Sequence, residues 1–280
     1  MHVLKIAVAG LISLSTVAFA QEPTPKNPPT GDPVVYKHVD GRDLTLYLHK
    51  PADWKSGKPK AAVVLFHGGG WINGSPASFN MQADRIAADG ALAITVQYRL
   101  LAKGAKVPPQ ICVEDAKSAM RWVRSHAKEL HIDPNRIAAG GGSAGGYMAA
   151  YTAVLTGWDD PQDDLKISPK PNALVLFNPV IDTSPTGYAN NRFGEVADAR
   201  SPLKAPIKDW PPTLIQSGSE DKLIHADVLR AFADKMTAAG MKIELRIYPG
   251  QVHAFYNKEP YKTQTTDEME KFLKSLGWFR

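Results

Sequence analysis

Gly141-Gly142-Ser143-Ala144-Gly145 constrains this chain more than any other segment does. An apolar run ends at it and a helix-length segment, Ala144 to Leu155, starts from it, which puts a serine at a strand-to-helix junction with glycines on both sides. A GxSxG in that setting reads as a nucleophile elbow. The serine occupies a sharp, strained turn with its oxygen lifted off the sheet, and small neighbours let strand and helix approach closely. Gly140, Gly142 and Gly145 also satisfy GxGxxG, a cradle for dinucleotide phosphates at a helix N-terminus. That fingerprint requires a second strand ending in an acid about 20 residues further on. Asp159, Asp160, Asp163 and Asp164 fall near that distance, but in a proline-rich loop with no strand before them. The elbow is the better reading, and it implies no cofactor.

The rest of the chain supplies the sheet that such an elbow needs. From Lys60 onward, short apolar runs at Ala61 to Phe66, Leu92 to Val96, Ile137 to Gly140, Ala173 to Phe177, Thr213 to Gln216 and Ile243 to Tyr248 read as strands buried on both faces. Helical patterns lie between and after them, near Phe79 to Ala88, Val113 to Leu130, Ala144 to Leu155, Ala226 to Ala239 and Thr263 to Leu276. This alternation predicts an α/β fold, a mostly parallel sheet wrapped by helices on both faces, with its functional loops at the carboxyl ends of the strands. Ahead of it, Val34 to Val39, a turn at Asp40-Gly41 and the alternation Leu44, Leu46, Leu48 predict an antiparallel hairpin with one buried face. Two stretches rich in Pro, Asp and Asn interrupt the alternation, Gly157 to Pro171 and Pro179 to Pro211. Long irregular insertions in a compact domain are usually functional or mobile, so both are candidates for the border of a site.

The first 20 residues carry a short basic start, an apolar run from Ile6 to Val17 and Ala18-Phe19-Ala20, which together read as a signal peptide cleaved after Ala20. The run is too short, and too interrupted by Ser13, Ser15 and Thr16, for a membrane anchor of about 20 apolar residues. A secreted or periplasmic protein is expected, with no membrane span in its mature form. Residues 21–33 form a proline-rich leader, and the remainder, 34–280, is long enough for one domain without staples. The single cysteine, Cys112, can make no internal disulfide and reads as a small packed residue. The net charge of +5 comes from Lys and Arg scattered through every segment, with no basic run or aromatic interleaving of the kind nucleic acid requires. No HExxH or Cys/His cluster calls for a metal. Composition says nothing of oligomeric state.

A second glycine cluster, His67-Gly68-Gly69-Gly70-Trp71, follows the strand Ala61 to Phe66 directly. Three glycines let bare amides converge on one point, as acyl transfer needs when a carbonyl oxygen becomes an oxyanion. A tight turn for chain reversal is the plain alternative. With both motifs in place, residues Lys60 to Tyr256 resemble the esterase and lipase group of α/β-hydrolases related to hormone-sensitive lipase. The resemblance implies an oxyanion hole from the amides of Gly69, Gly70 and Ala144, a structural role for His67, and serine esterase activity in a catalytic domain over residues 34–280. Two features depart from the group. Gly142 stands where an acidic residue usually precedes the serine, and a proline leader and hairpin replace an N-terminal helical cap. Both make the chain look more like exported esterases acting on polysaccharide esters.

The order Ser, Asp, His that goes with this fold can be followed along the chain. Asp221 lies in the loop after Thr213 to Gln216, and His253 in the loop after Ile243 to Tyr248. Ser143, Asp221 and His253 are therefore the expected catalytic residues. Glu220 is adjacent to Asp221 and spacing does not separate the two; His225, His126 and His131 have weaker claims than His253. Asp115 reads as an acid complementing a helix dipole. Trp71, Phe79, Tyr98 and Trp210 are aromatics near catalytic or insertion loops, candidates for pocket walls (Trp71 and Trp210 above all) or for core packing. Hydrolysis of short-chain esters, including acetyl or aromatic acyl esters on carbohydrates, is the expected activity. Small-molecule or polysaccharide esters are the expected substrates. A serine exopeptidase and a non-catalytic binding protein on the same scaffold are the alternatives.

Overall fold

The computed structural model of the protein describes residues 27–279. The expected signal peptide and residues 21–26 of the leader lie outside them. Eight strands form one sheet in the order β1-β2-β4-β3-β5-β6-β7-β8. These are β1 (Asp32–Val39), β2 (Arg42–His49), β3 (Lys60–Phe66), β4 (Leu92–Val96), β5 (Ile132–Gly142), β6 (Ala173–Phe177), β7 (Thr213–Gly218) and β8 (Ile243–Tyr248). β1 and β2 pair antiparallel, β2 meets β4 antiparallel, and every later pairing is parallel. The β1–β2 turn falls on Asp40 and Gly41, with φ of 52° and 72°, the left-handed pair that matches the twist of a two-residue hairpin.

Among the described residues, six α-helices complete the fold: α1 (Asn80–Ala88), α2 (Gln110–Ser125), α3 (Ala144–Val154), the four-residue α4 (Asn190–Phe193), α5 (Ala226–Ala238) and α6 (Tyr261–Ser275). Alternate residues of β3 divide the core. Ala62, Val64 and Phe66 face the layer of α2, α3 and α5, while Ala61, Val63 and Leu65 face α1 and α6. The expectation of burial on both faces holds for β3, β4 and β6 but not for β8, an edge strand whose residues are only half-buried or exposed.

Three boundaries differ from the sequence reading for reasons of long-range contact. The sheet begins at Asp32 inside the leader, because Asn80 Nδ2 donates to the Pro28 carbonyl at 2.9 Å and ties the chain down beside α1. α2 stops at Ser125, not Leu130; past it Ala127 and Leu130 are buried, and the Leu130 carbonyl accepts from Trp54 Nε1 at 2.7 Å. β5 starts five residues early, with Ile132 opposite Lys60 across a register shift. Asp115 is no helix-dipole partner either: six residues into α2 and fully buried, it accepts from Arg99 and Lys37.

The insertions also part company. Residues 157–171 run from the end of α3 to the start of β6, the end of the sheet opposite the strand carboxyl termini, so they do not border the serine. Lys117 and Arg121 of α2 hold Asp159, Arg121 holds Asp163, and Lys37 holds Asp160, fastening this stretch to the body. Residues 179–211 start at the carboxyl end of β6, where the serine lies.

Candidate active site

Ser143 sits between β5 and α3 with φ 54° and ψ −117°, a conformation that costs a non-glycine residue about 1–3 kcal/mol and persists only where packing over-determines it. The packing is visible at the neighbouring glycines. A Cβ on Gly145 would lie 2.0 Å from the Phe66 carbonyl oxygen, and one on Gly141 2.5 Å from the same atom. The turn is held further by Ser143 N–H donating to Phe177 O at 2.9 Å and by Val180 N–H donating to Ser143 O at 3.2 Å. Ser143 itself stays partly exposed.

The loops after β7 and β8 bring two side chains to it. His253 Nε2 is 2.9 Å from Ser143 Oγ, and His253 Nδ1 is 2.7 Å from Asp221 Oδ2. Asp221 is buried, and its other oxygen accepts the Leu223 and Ile224 amides at 2.9 and 3.0 Å. Burial pushes its pKa up, but the His253 hydrogen bond and those amides outweigh it and leave the pKa below the ordinary carboxylate value. Glu220 is exposed, and its carboxylate accepts from the Ser219 hydroxyl. His225 is exposed at the start of α5, while His126 stacks on Trp122 and His131 bonds Gly57 O, both beyond the C-terminal end of α2.

Asn178, which sequence reasoning missed, completes the histidine loop. Fully buried, it follows β6 directly; its Oδ1 accepts from Ala254 N–H at 3.2 Å and its Nδ2 lies 3.4 Å from His253 Nε2. Its place at the carboxyl end of a central strand was the available signal.

The glycine loop passes directly over this turn, since a Cβ on Gly68 would lie 3.5 Å from Ser143 Cβ. Its amides are aimed by what holds the carbonyls. His67 Nδ1–H donates to Gly68 O at 2.8 Å, and Ile72 and Asn73 N–H donate to Gly69 O at 3.2 Å each. In a trans peptide the N–H points away from the C=O, so the amides of Gly69 and Gly70 are turned to the opposite side. Among the described residues, neither these N–H groups nor that of Ala144, at the start of α3, finds a protein acceptor. Gly69 and Gly70 have φ of 119° and 62°, which a side chain rarely tolerates. Burial lowers the His67 pKa to about 4 against the opposing Gly68 hydrogen bond, so the ring is neutral at ordinary pH. It stacks on Tyr98, whose hydroxyl donates to His67 O at 2.8 Å. From the insertion, Arg192 Nη1 donates to Gly70 O at 2.8 Å.

The aromatic candidates for pocket walls pack inside. Trp71 is fully buried against Tyr147 and Phe193. Trp210 is 1% exposed against Phe232, ahead of β7 and so at the wrong end of that strand to meet substrate. Phe79 stacks on Tyr256, and Tyr98 on His67. Tyr188 is the aromatic that does reach the mouth, its hydroxyl 4.0 Å from where a Gly70 Cβ would be. Cys112 is buried on α2, and burial, with Asp115 nearby, raises its thiol to about 12, so it remains protonated. Asp159 and Asp163, weighed as the acid of a dinucleotide fingerprint, are taken by Lys117 and Arg121.

A family model described as the α/β-hydrolase fold matches residues 63–201, and one described as the dienelactone hydrolase family matches residues 186–280. The carboxylesterase NlhH of Mycobacterium tuberculosis is 32% identical over 239 residues, covering 77% of this chain and 72% of that protein. Ethyl acetate hydrolase of Pseudomonas putida is 29% identical over 241 residues, again 77% of this chain and 72% of that protein. The apo form of Thermogutta terrifontis esterase 2 is 39% identical with a TM-score of 0.84, covering 91% of this chain and 98% of that one. The same esterase with propionate bound is similar at a TM-score of 0.83 and 39% identity, covering 91% of this chain and 97% of that one. Its paraoxon-phosphorylated form is similar to the same degree.

Proposed function

The chain belongs to the α/β-hydrolase fold family and is a carboxylic ester hydrolase, and from that premise we propose that it cleaves short-chain esters through Ser143, His253 and Asp221. The observation that carries the assignment is the relay of two hydrogen bonds, 2.9 Å from Ser143 Oγ to His253 Nε2 and 2.7 Å from His253 Nδ1 to Asp221 Oδ2. His253 takes the proton as Ser143 Oγ attacks the ester carbonyl. Asp221, kept ionised by its partners, fixes the imidazole tautomer and stabilises the imidazolium. The amides of Gly69, Gly70 and Ala144 receive the oxyanion. His253 then protonates the departing alcohol, and in the second half-reaction it activates water to release the acid from Ser143.

Acetyl to butyryl groups are the proposed acyl range, and acetyl or aromatic acyl esters of carbohydrates are the proposed natural class. The name of the Pseudomonas relative, an ethyl acetate hydrolase, and the propionate held by the Thermogutta esterase support a small acyl group. The signal-peptide pattern of the first 20 residues supports an exported enzyme meeting such esters outside the cytoplasm. Ser143→Ala tests the assignment. It should abolish hydrolysis of 4-nitrophenyl acetate while the protein stays folded, and a serine-directed organophosphonate should block wild type stoichiometrically. Alanine-variant activity within tenfold of wild type would remove Ser143 from the mechanism.

A further inference from the structure

A cleft of about 240 Å³ lies between two segments that follow β6 and Asp221 and that the mechanism leaves unassigned. One wall is the start of the insertion, Ile181, Asp182, Thr186 and Tyr188; the other is the stretch after the catalytic acid, including Leu223 and His225. Both walls are anchored at the reacting centre. Val180, next to Ile181, donates its N–H to the Ser143 carbonyl, and Tyr188 brings its hydroxyl to Gly70. Across the cleft, the Leu223 amide is bonded to Asp221. These contacts put the cleft within reach of one limb of an ester whose carbonyl lies at Ser143.

The lining decides which limb. Ile181, the ring of Tyr188 and the exposed side chain of Leu223 are apolar, but Asp182 stands among them and Lys222 lines the opposite wall. Its Oδ1 is held by Ser184 N–H at 3.0 Å and Ser201 Oγ at 3.3 Å. Its main chain is held too, by Tyr188 N–H donating to Asp182 O at 3.0 Å. Among the described residues, Oδ2 has no hydrogen-bond partner. A fixed carboxylate with one free oxygen suits neighbouring hydroxyls, and an aromatic face with an aliphatic side chain opposite suits the C–H faces of a ring. An alkyl chain in the same place would strip water from Asp182 and return no hydrogen bond. The volume of about 240 Å³ has room for one sugar-sized ring, and the choice between ring and alkyl chain rests on the polar lining.

We propose that this cleft is the alcohol subsite, that it takes a single polyhydroxylated ring, and that Asp182 is its specificity-determining residue. The proposal rests on Ser143 being the nucleophile. It is tested by comparing a monoacetylated methyl glycoside with ethyl acetate in wild type and Asp182→Asn, a variant that keeps the Oδ1 acceptor. Losing a hydrogen bond to a charged group should lower the glycoside-to-ethyl-acetate ratio of kcat/KM about 10- to 100-fold, mainly through KM. An unchanged ratio, or a loss that follows acyl length across 4-nitrophenyl acetate, butyrate and hexanoate, would overturn the subsite. Should the variant not fold, wild type still decides. The unacetylated methyl glycoside should inhibit 4-nitrophenyl acetate hydrolysis competitively where cyclohexanol at equal concentration does not, and equal inhibition by both would overturn the proposal. Residual activity in Ser143→Ala would instead refute the reading of the nucleophile, whatever the alcohol preference.

Discussion

Replacing Gly142 by alanine tests whether the serine turn and the histidine loop form one packed unit. Gly142 is not among the positive-φ glycines, so the cost of a side chain there is one of space. An alanine Cβ would lie 1.8 Å from Tyr256 Oη, 2.5 Å from its Cζ and 3.0 Å from its Cε1. The ring cannot step aside as a surface side chain would, because Tyr256 is 3% exposed and lies against Phe79 and Phe177, at centroid distances of 6.0 and 5.0 Å. Either the ring or the end of β5 must therefore yield by more than about 1 Å. Overpacking of this kind costs about 1–3 kcal/mol, and a shift of about 1 Å at a reacting group costs on the order of 100-fold in rate. Gly142→Ala should lower the unfolding free energy in urea by about 1–3 kcal/mol and kcat/KM on 4-nitrophenyl acetate about 10- to 100-fold. The control is Tyr256→Leu, which removes the clashing atoms. In that background the added stability cost of Gly142→Ala should fall to about 0.5 kcal/mol or less, the coupling expected of residues in contact. Additive penalties in the double variant, or a single alanine variant indistinguishable from wild type, would refute the reasoning.

Asp221→Asn should cost on the order of 10,000-fold in kcat by leaving the imidazole in the wrong tautomer, whereas Glu220→Gln should stay near wild type; steady-state kinetics on one aryl ester ranks them, and the reverse order would reassign the acid. His67, lowered to about 4 by burial, binds its proton more readily in the unfolded chain. Its contribution to stability is complete above about pH 6.5 and is lost as pH falls towards 4, in total about 3 kcal/mol. His67→Asn should flatten the stability-against-pH curve in that window, and an unaltered slope would count against a buried neutral ring. Acyl preference should fall off beyond butyryl, because each further methylene gains about 0.8 kcal/mol only if an apolar wall receives it; specificity constants climbing steadily to lauryl esters would contradict this.

The order of strands and helices was legible because buried parallel strands are short apolar runs and the helices between them keep their own period. Those two patterns fixed where loops at strand carboxyl ends must fall, and hence why Asp221 and His253 could be named before their distance was known. What was not legible depended on partners far away in the chain. Asn178 matters through Ala254, and Gly142 is a glycine because Tyr256 fills its space. The departure from the acidic residue expected before the serine thus has a steric cause that no local spacing contains. Trp71 and Trp210 show the limit from the other side: nearness to a loop in sequence does not say whether an indole faces substrate or the core. The end of α2 was missed because Ala127 to Leu130 keep a helical composition, while the Leu130 carbonyl is taken by Trp54.

The hydrogen bond from Arg192 to the Gly70 carbonyl ties the insertion to the glycine loop. If the insertion moved away, it would release this carbonyl and loosen the glycine loop proposed to bind the oxyanion. An enzyme built this way gains nothing from an oil–water boundary. Its rate should follow dissolved ester smoothly through the solubility limit, with no jump when droplets form, and detergents that prise surface segments open should slow it.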